Sequence, residues 1–396
     1  MTAALDWLRG QVAAGAHLCL DSRQLQPGDV FLACPGVAGD GRDHVAAALQ
    51  AGAGAVLYEA ANAAPGLADE VAARGVPALA VQGLRGQLGA LASAWYGEPS
   101  RQLSVIAVTG TNGKTSCTQW LAQALTEQGR PCGVIGTLGV RFADGATLDT
   151  GLTTPDVVTL HRVLARMVQA GTVAVALEAS SIGLEQGRLD GLHIAVAAFT
   201  NLTRDHLDVH GTMQSYEAAK ARLFDWPGLA AAVVNLDDAA GARLAARAKA
   251  AQVVGYQRAG GQAGVPTDCP RWQARDVQIT AHGTLFTLRA PDGAEALVRT
   301  LLPGAYNVDN LLLVAAVLHV LGRPLPQIVA ALGRLQPVPG RLQVVAPEVV
   351  GGPMVVVDYA HTPDALQGAL AALRPVAQAR GARLLCVFGC GGGRDA

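Results

Sequence analysis

Val105-Ile106-Ala107-Val108-Thr109-Gly110-Thr111-Asn112-Gly113-Lys114-Thr115-Ser116 is the stretch on which the reading of this chain turns. An apolar, β-branched run ends in a Gly-containing turn, then Lys-Thr, then a helical pattern with Trp120, Leu121, Ala124 and Leu125 on one face. Strand, Gly-rich turn, Lys-Thr and helix make the layout of a phosphate-binding loop. Glycines let backbone amides converge on a phosphate, and the helix N-terminus adds partial positive charge. Lys114 is placed to reach the outer phosphates of a nucleoside triphosphate, and the Thr115 hydroxyl to ligate Mg²⁺. The strict pattern G-x-x-x-x-G-K-[ST] would put Gly at 108, where Val108 stands. An ordinary strand-to-helix turn with a solvated lysine is the competing interpretation, and the flanking strand and helix weigh against it.

Working outward, buried-type strands alternate with amphipathic helices from Leu103 onward. Thr172–Leu177, Ile194–Phe199 and Ala231–Val234 are examples, and they predict a mostly parallel sheet covered by helices. Residues 272–302 switch to period-2 patterning and predict a small antiparallel addition. Before the loop, Val30–Cys34, Ala55–Tyr58 and Ala78–Val81 read as short strands, with a helix near Val45–Ala51, making a separate small α/β domain. Gln336-Pro337-Val338-Pro339-Gly340 reads as a second linker. Beyond it, strand Met354–Val357, a helix after Pro363 and strand Leu384–Phe388 predict the opening of a βαβ unit, so that either the chain is a fragment or the missing part is supplied elsewhere. The expected domains are 1–98, 99–337 and 338–396, the last incomplete.

Composition narrows the class. The chain has 396 residues, 51% of them hydrophobic, which suits two or three domains with sizeable cores. Its 30 basic and 31 acidic residues leave a net charge of −1 and no basic cluster, so neither nucleic acid nor a membrane surface is an expected partner. Seven scattered cysteines, an odd number without a C-x-x-C pair, fit free thiols in a reducing compartment. Asp6 and Arg9 interrupt the N-terminal apolar stretch, which is therefore no signal peptide, and Leu311–Leu321 is too short to span a bilayer. A cytoplasmic protein is expected.

Other polar residues follow predicted strands. Glu178, at the end of an apolar run, is placed either to hold Mg²⁺ or to serve as an ordinary surface or capping acid. Thr200–Asp208 gathers Asn201, Asp205 and His206 after another strand, and His206 is a candidate metal ligand or proton acceptor. Lys220 lies in a helix with Glu217 at i−3, which by spacing alone is a solvated pair. Asp358–Asp364 is a third strand-end turn, and Asp21-Ser22-Arg23 a polar turn near the N-terminus.

Thr109–Ser116, Glu178–Ser181, Thr200–Asp208, Tyr216–Phe224, Tyr306–Asn310 and Asp358–Pro363 occur in this order, and together they resemble the Mur ligase family over the whole chain. Asp21–Arg23, Leu152–Asp156 and Ser180–Arg188 resemble the branch that adds the third amino acid of the peptidoglycan precursor. The resemblance implies an α/β, three-domain architecture: a UDP-binding domain, a P-loop ATPase domain with a mostly parallel sheet, and a Rossmann-like amino-acid-binding domain. It implies ATP-dependent ligation of a diamino acid to UDP-MurNAc-L-Ala-D-Glu through an acyl phosphate. The sequence does not separate diaminopimelate from lysine; diaminopimelate is expected as the more frequent substrate across bacteria, and a monomer is the default. By the same resemblance, Gly110, Thr111, Asn112, Gly113, Lys114, Thr115 and Ser116 hold ATP, with Asn307, Arg341 and Asp358 near its adenine and ribose. Ser22, Thr153, Thr154, Ser180, Gln186 and Arg188 contact the UDP-precursor. Thr115, Glu178, His206 and a carbamylated Lys220 hold Mg²⁺, and Lys114, Glu178, His206 and Lys220 form the catalytic set. Arg394 is the remaining candidate contact to the amino acid. Ile182 and Gly393 stand where many relatives have His and Asp. The competing assignments are another amide ligase resembling folylpolyglutamate synthase, and a non-catalytic fragment that binds ATP and the UDP-precursor.

Overall fold

Three sheets, two of them large, organise the described residues of this chain in the computed structural model, which describes residues 2–37, 39–258, 269–280, 283–345 and 352–389. The chain divides into two compact units, the first of residues 1–102, 155–169 and 186–192, the second of residues 103–154, 170–185 and 193–396.

The first unit starts with helix α1 (Thr2–Gln11) and carries β1 (Leu18–Cys19), β2 (Val30–Ala33), α2 (Val45–Gln50), β3 (Ala55–Glu59), α3 (Leu67–Ala72), β4 (Ala78–Val81) and α4 (Leu84–Trp95). The four strands form a parallel sheet in the order β1-β2-β3-β4. β2 and β3 are buried along their whole length, as their unbroken apolar runs require of strands covered on both faces. Glu59 closes β3 and is itself buried. Its carboxylate accepts the backbone N–H groups of Ala61, Gly83 and Leu84, so it caps the start of α4.

The second unit opens with β5 (Ser104–Thr109), α5 (Lys114–Glu127), β6 (Cys132–Gly136), β7 (Gly139–Arg141) and β8 (Thr147–Leu148). Helix α6 (Val157–Gln169) follows in the chain and belongs to the first unit, where it packs on α4. The second unit resumes with β9 (Ala174–Glu178), α7 (Ser181–Glu185), β10 (Val196–Phe199), α8 (Leu207–His210), α9 (Met213–Ala221), β11 (Ala231–Asn235), α10 (Ala239–Arg247) and β12 (Gln252–Arg258). Then come β13 (Arg271–Thr280), β14 (Gly283–Arg289), β15 (Glu295–Thr300), α11 (Ala305–Val320) and α12 (Leu325–Arg334). Among the described residues eleven strands make one sheet, ordered β15-β14-β13-β12-β11-β10-β5-β9-β6-β7-β8. It is parallel from β13 to β6, and the period-2 stretch at 272–302 forms the antiparallel β13-β14-β15 edge. α5 and α11 pack on this sheet through Trp120, Leu121, Leu125, Leu311, Val314 and Leu318, all buried.

The Gln336–Gly340 break is held more firmly than a linker. Leu335 and Val338 are buried, Trp120 Nε1 donates to the Gln336 carbonyl at 2.9 Å, and the Gln336 N–H donates to Gln123 Oε1 at 3.0 Å. Beyond it, β16 (Gln343–Val345) pairs antiparallel with β17 (Val355–Val357), followed by α13 (Pro363–Ala379). The expected strand at Leu384–Phe388 does not form. No described strand lies beside it, and Leu385, Val387 and Phe388 face solvent. Apolar, β-branched composition alone does not make a strand without a partner for its ladder. Arg394 and Gly393 lie outside the described residues.

Candidate functional site

Four neighbouring strands, β10-β5-β9-β6, deliver the candidate residues to one edge of the large sheet. Ligands of open α/β sheets bind outside the carboxyl ends of their strands. β5 runs straight into the loop Gly110–Gly113, β9 ends on Glu178, β10 leads into Thr200–Asp208, and β6 leads into Thr137. A cavity of about 440 Å³ opens there, lined by the loop with Glu178, Ser180, His206, Asn307, Arg341 and Asp358 among its walls.

The loop is braced from β10. Thr111 N–H donates to Asn201 O at 2.8 Å and Asn112 N–H to Asn201 Oδ1 at 2.9 Å. These two amides are spoken for, and the first turn of α5, from Lys114 onward, supplies N–H groups without an intrahelical partner. Gly113 has φ +87°, and a Cβ there would land on Asn310 Oδ1, so this turn requires glycine. The loop lysine folds back: Lys114 Nζ donates to Gly110 O at 2.9 Å and Thr111 O at 2.8 Å. Burial holds its pKa below 10.5, against the pull of Glu178 and Asp205. Thr115 Oγ1 accepts from Arg341 Nη2 at 3.1 Å, and the Arg341 guanidinium stacks over Tyr359 at 4.7 Å. Asp358 turns its carboxylate onto backbone, taking the N–H groups of Ala360 in its own loop and of Leu342 just before β16. Asn307 donates to Pro303 O and accepts from Asn310.

Lys220 overturns the solvated-pair reading. It is 2% exposed, its Nζ donates to Gly110 O at 2.8 Å, and it sits 4.2 Å over the Tyr216 ring. Glu217 faces away and pairs with Arg243 at 2.6 Å. Burial and then the nearby Lys114 charge push the Lys220 pKa well below 10.5. The Tyr216 hydroxyl is in turn fixed within 3.2 Å of Thr111 Oγ1. His206 takes a left-handed backbone (φ 53°), an uncommon conformation for a residue with a Cβ. Asp205 accepts its N–H at 2.9 Å and lies 3.5 Å from its Nε2. Strain of this kind clusters at functional sites.

Glu178 is 1% exposed and gripped by a residue that the sequence reading did not single out. Thr137 N–H donates to Oε1 at 2.9 Å and Thr137 Oγ1 to Oε2 at 3.0 Å. Gly136 makes room, since a Cβ there would strike the Glu178 carboxylate. Asp309, also missed, lines the cavity and pairs with Arg258 at 2.8 Å. Burial nonetheless pushes its carboxyl up to about 7.

The precursor-contact candidates divide between the units. Thr153, Thr154 and Ser180 belong to the second. There Thr154 Oγ1 donates to Glu178 O at 2.8 Å and lies 2.9 Å from Ser180 Oγ. Ser22, Gln186 and Arg188 belong to the first, where Arg188 Nη2 donates to Gln186 Oε1 at 2.7 Å and Asp21 pairs with Arg23 at 2.7 Å.

Mg²⁺ favours hard oxygen donors and keeps water or phosphate in several positions. Among the described residues, no group of three His, Cys, Asp or Glu is gathered to hold a metal. The donors present are a pinned carboxylate (Glu178), an imidazole (His206), a hydroxyl (Thr115) and a buried amine whose depressed pKa suits reaction with CO₂ (Lys220). Thr115, Glu178 and His206 line the cavity, whereas Lys220 is not among its lining residues and points to Gly110 O. As a carbamate its oxygens would be donors of the type that suits Mg²⁺, and as an ammonium it would repel the ion.

Residues 16–96 match the Mur ligase family catalytic domain, 108–318 the Mur ligase middle domain, and 340–396 the Mur ligase glutamate ligase domain. A protein of Ralstonia nicotianae, named UDP-N-acetylmuramoyl-L-alanyl-D-glutamate–2,6-diaminopimelate ligase, is 50% identical over 397 residues, covering 99% of this chain and 76% of the relative. One of the same name from Xanthomonas campestris pv. campestris is 51% identical over 381 residues, 96% of this chain and 73% of the relative. A solved structure of a ligase of that name superposes with a TM-score of 0.72 at 32% identity, covering 96% of this chain and 73% of its own. MurF from Thermotoga maritima, solved with ADP, shares the fold at 20% identity and a TM-score of 0.62, over 91% of this chain and 75% of its own. From the loop at 109–116 to these matches over nearly its whole length, the chain belongs to the Mur ligase family.

Proposed function

We propose that this protein is the ATP-dependent ligase that joins 2,6-diaminopimelate to UDP-MurNAc-L-Ala-D-Glu, forming ADP, phosphate and the tripeptide precursor of peptidoglycan. The names of its half-identical relatives support the substrates. The observation that carries the chemistry is the shared cavity in which the β5 loop, Glu178 and His206 meet. A folylpolyglutamate synthase-like reading is disfavoured, because residues 16–96 match a Mur ligase domain. Three functional parts follow: 1–98 for the UDP moiety, 99–337 for ATP, and 338–396 for the start of the amino-acid domain. Among the described residues no helix is long and apolar enough to cross a membrane, and we place the reaction in the cytoplasm.

A carboxylate is a poor acyl donor. The side-chain carboxylate of the D-Glu residue attacks the γ-phosphorus of ATP, the bond to ADP breaks, and an acyl phosphate forms. The amine of diaminopimelate then attacks the acyl carbon, and the tetrahedral adduct expels phosphate as the amide forms. The first-turn N–H groups of α5 bind the phosphates, and Lys114 leaves its loop carbonyls to neutralise charge on the transferred group. Arg341 and Asn307 hold the nucleotide end. Thr115, Glu178, His206 and carbamylated Lys220 would hold Mg²⁺, which when bound supplies charge neutralisation between phosphates. Thr153, Thr154, Ser180, Ser22, Gln186 and Arg188 hold the UDP-precursor, so the chain acts mainly by positioning reactants.

The test is phosphate release and product mass with UDP-MurNAc-L-Ala-D-Glu, ATP and either diaminopimelate or lysine. Diaminopimelate-dependent phosphate and the tripeptide mass are expected, and Lys114→Ala abolishes both. Turnover only with lysine or with a folate substrate, or near-normal turnover in Lys114→Ala, overturns the assignment.

A further inference from the structure

We propose that Thr137 is a positioning residue that locks the Glu178 carboxylate in plane and couples it to the acceptor-side hydroxyl of Thr153. The inference rests on the site reading above. β6 and β9 run parallel, with Ile135 opposite Leu177, so the residues just past that pair, Gly136-Thr137 and Glu178, lie side by side. Thr137 spends both of its donors on the two oxygens of one carboxylate, N–H on Oε1 at 2.9 Å and O–H on Oε2 at 3.0 Å. A two-point grip from a single residue fixes the carboxylate plane as well as its position. Glu178 is buried, so hydrogen bonds to its charged form weigh more than they would in water.

The hydroxyl also reaches outward, since Thr137 Oγ1 lies 3.2 Å from Thr153 Oγ1. A carboxylate only accepts, so the single Thr137 proton is committed to Glu178. Thr153 must then be the donor to Thr137. The chain Thr153 O–H to Thr137 O–H to Glu178 has one direction, and all three residues stand in the cavity wall. Removing the middle hydroxyl frees Glu178 to rotate and Thr153 to reorient, two effects from one oxygen.

Thr137→Val keeps the backbone N–H and the shape, and Thr137→Ser keeps the hydroxyl. Two binding measurements separate the claims. Calorimetry with UDP-MurNAc-L-Ala-D-Glu in metal-free buffer should show Thr137→Val weakened about tenfold, with Thr137→Ser within about twofold of the parent. Mn²⁺ binding in the presence of a non-hydrolysable ATP analogue should fall about tenfold in Thr137→Val. The Thr137→Val/Thr153→Val double variant should bind the precursor no more weakly than Thr153→Val alone, because one chain is broken in both. Parent-like binding of both ligands by Thr137→Val, with a change confined to melting temperature, overturns the proposal, and so does additivity in the double variant. A parent protein that binds no precursor sinks the substrate assignment, and the Mn²⁺ series then still decides whether Thr137 holds Glu178.

Discussion

Lys114 Nζ and Lys220 Nζ both donate to the carbonyl oxygen of Gly110, at 2.9 and 2.8 Å. Two ammonium groups at one oxygen repel, and both are desolvated. The pair relaxes when one lysine gives up its proton, and Lys220, deeper and with its pKa pushed well below 10.5, is the one to do so. A neutral, buried amine held over the Tyr216 ring is what CO₂ needs to form a carbamate.

Lys220 therefore makes stability depend on pH. In the unfolded chain it holds its proton up to about 10.5, whereas in the folded chain it loses it earlier. Between those values the unfolded state binds more protons, so stability rises with pH. Urea midpoints in CO₂-free buffer should increase from pH 7 to pH 9 in the parent by more than in Lys220→Met, whose slope is flatter. Equal slopes would place Lys220 outside this account. In bicarbonate buffer, intact mass of the parent should show the added carboxyl, and Lys220→Met should not.

Gly136→Ala tests the space beside Glu178. Its Cβ would strike a carboxylate that Thr137 holds on both oxygens and that has no solvent to retreat into. Ligation should fall by about a hundredfold, the range seen when one charge-positioning group is lost. The fold itself should lose only about 1–3 kcal/mol, as for other overpacked sites. Steady-state rates beside chemical denaturation separate the two, and a wild-type rate would show that Glu178 moves freely.

The large sheet was legible because a strand buried on both faces leaves an unbroken apolar run. Ala174–Leu177 and Ala231–Val234 can be read directly, with a polar residue marking each carboxyl end. Lys220 was not legible from spacing. Glu at i−3 is the signature of a solvated helix pair, and only the tertiary contact with Gly110 O shows that the lysine points inward while Glu217 turns to Arg243. Thr137 was hidden for a similar reason. It follows β6, whose apolar Val134-Ile135 pair is flanked by Gly133 and Gly136 and so makes no long apolar run, and its importance lies in the register of β6 against β9. Leu384–Phe388 misled in the opposite direction, because its composition suits a strand but no described strand pairs with it.

Arg341 joins the nucleotide loop to the segment after the Pro-rich break. It donates to Thr115 Oγ1 at 3.1 Å while stacking on Tyr359. Arg341→Lys keeps the charge but loses the planar fork and the stacking face. The KM for ATP should rise about tenfold while the KM for the UDP-precursor stays near the parent value. Equal changes in both would mean that Arg341 supports the fold rather than the nucleotide.

Trp120 tests whether residues 336–340 behave as a linker or as part of the packed unit. Its indole N–H donates to the Gln336 carbonyl at 2.9 Å, and its ring lies in the core of α5. Trp120→Phe removes the donor, leaves the Gln336 carbonyl without this partner and opens a small void. The hydrogen bond contributes about 1 kcal/mol and the lost ring volume a similar amount. Denaturation should therefore show about 2 kcal/mol of destabilisation. Val338 is buried beside this contact, so the same change should expose the 336–340 segment to proteases that spare it in the parent. Cleavage there at equal rates in both proteins would show that the segment is loose despite its buried side chains.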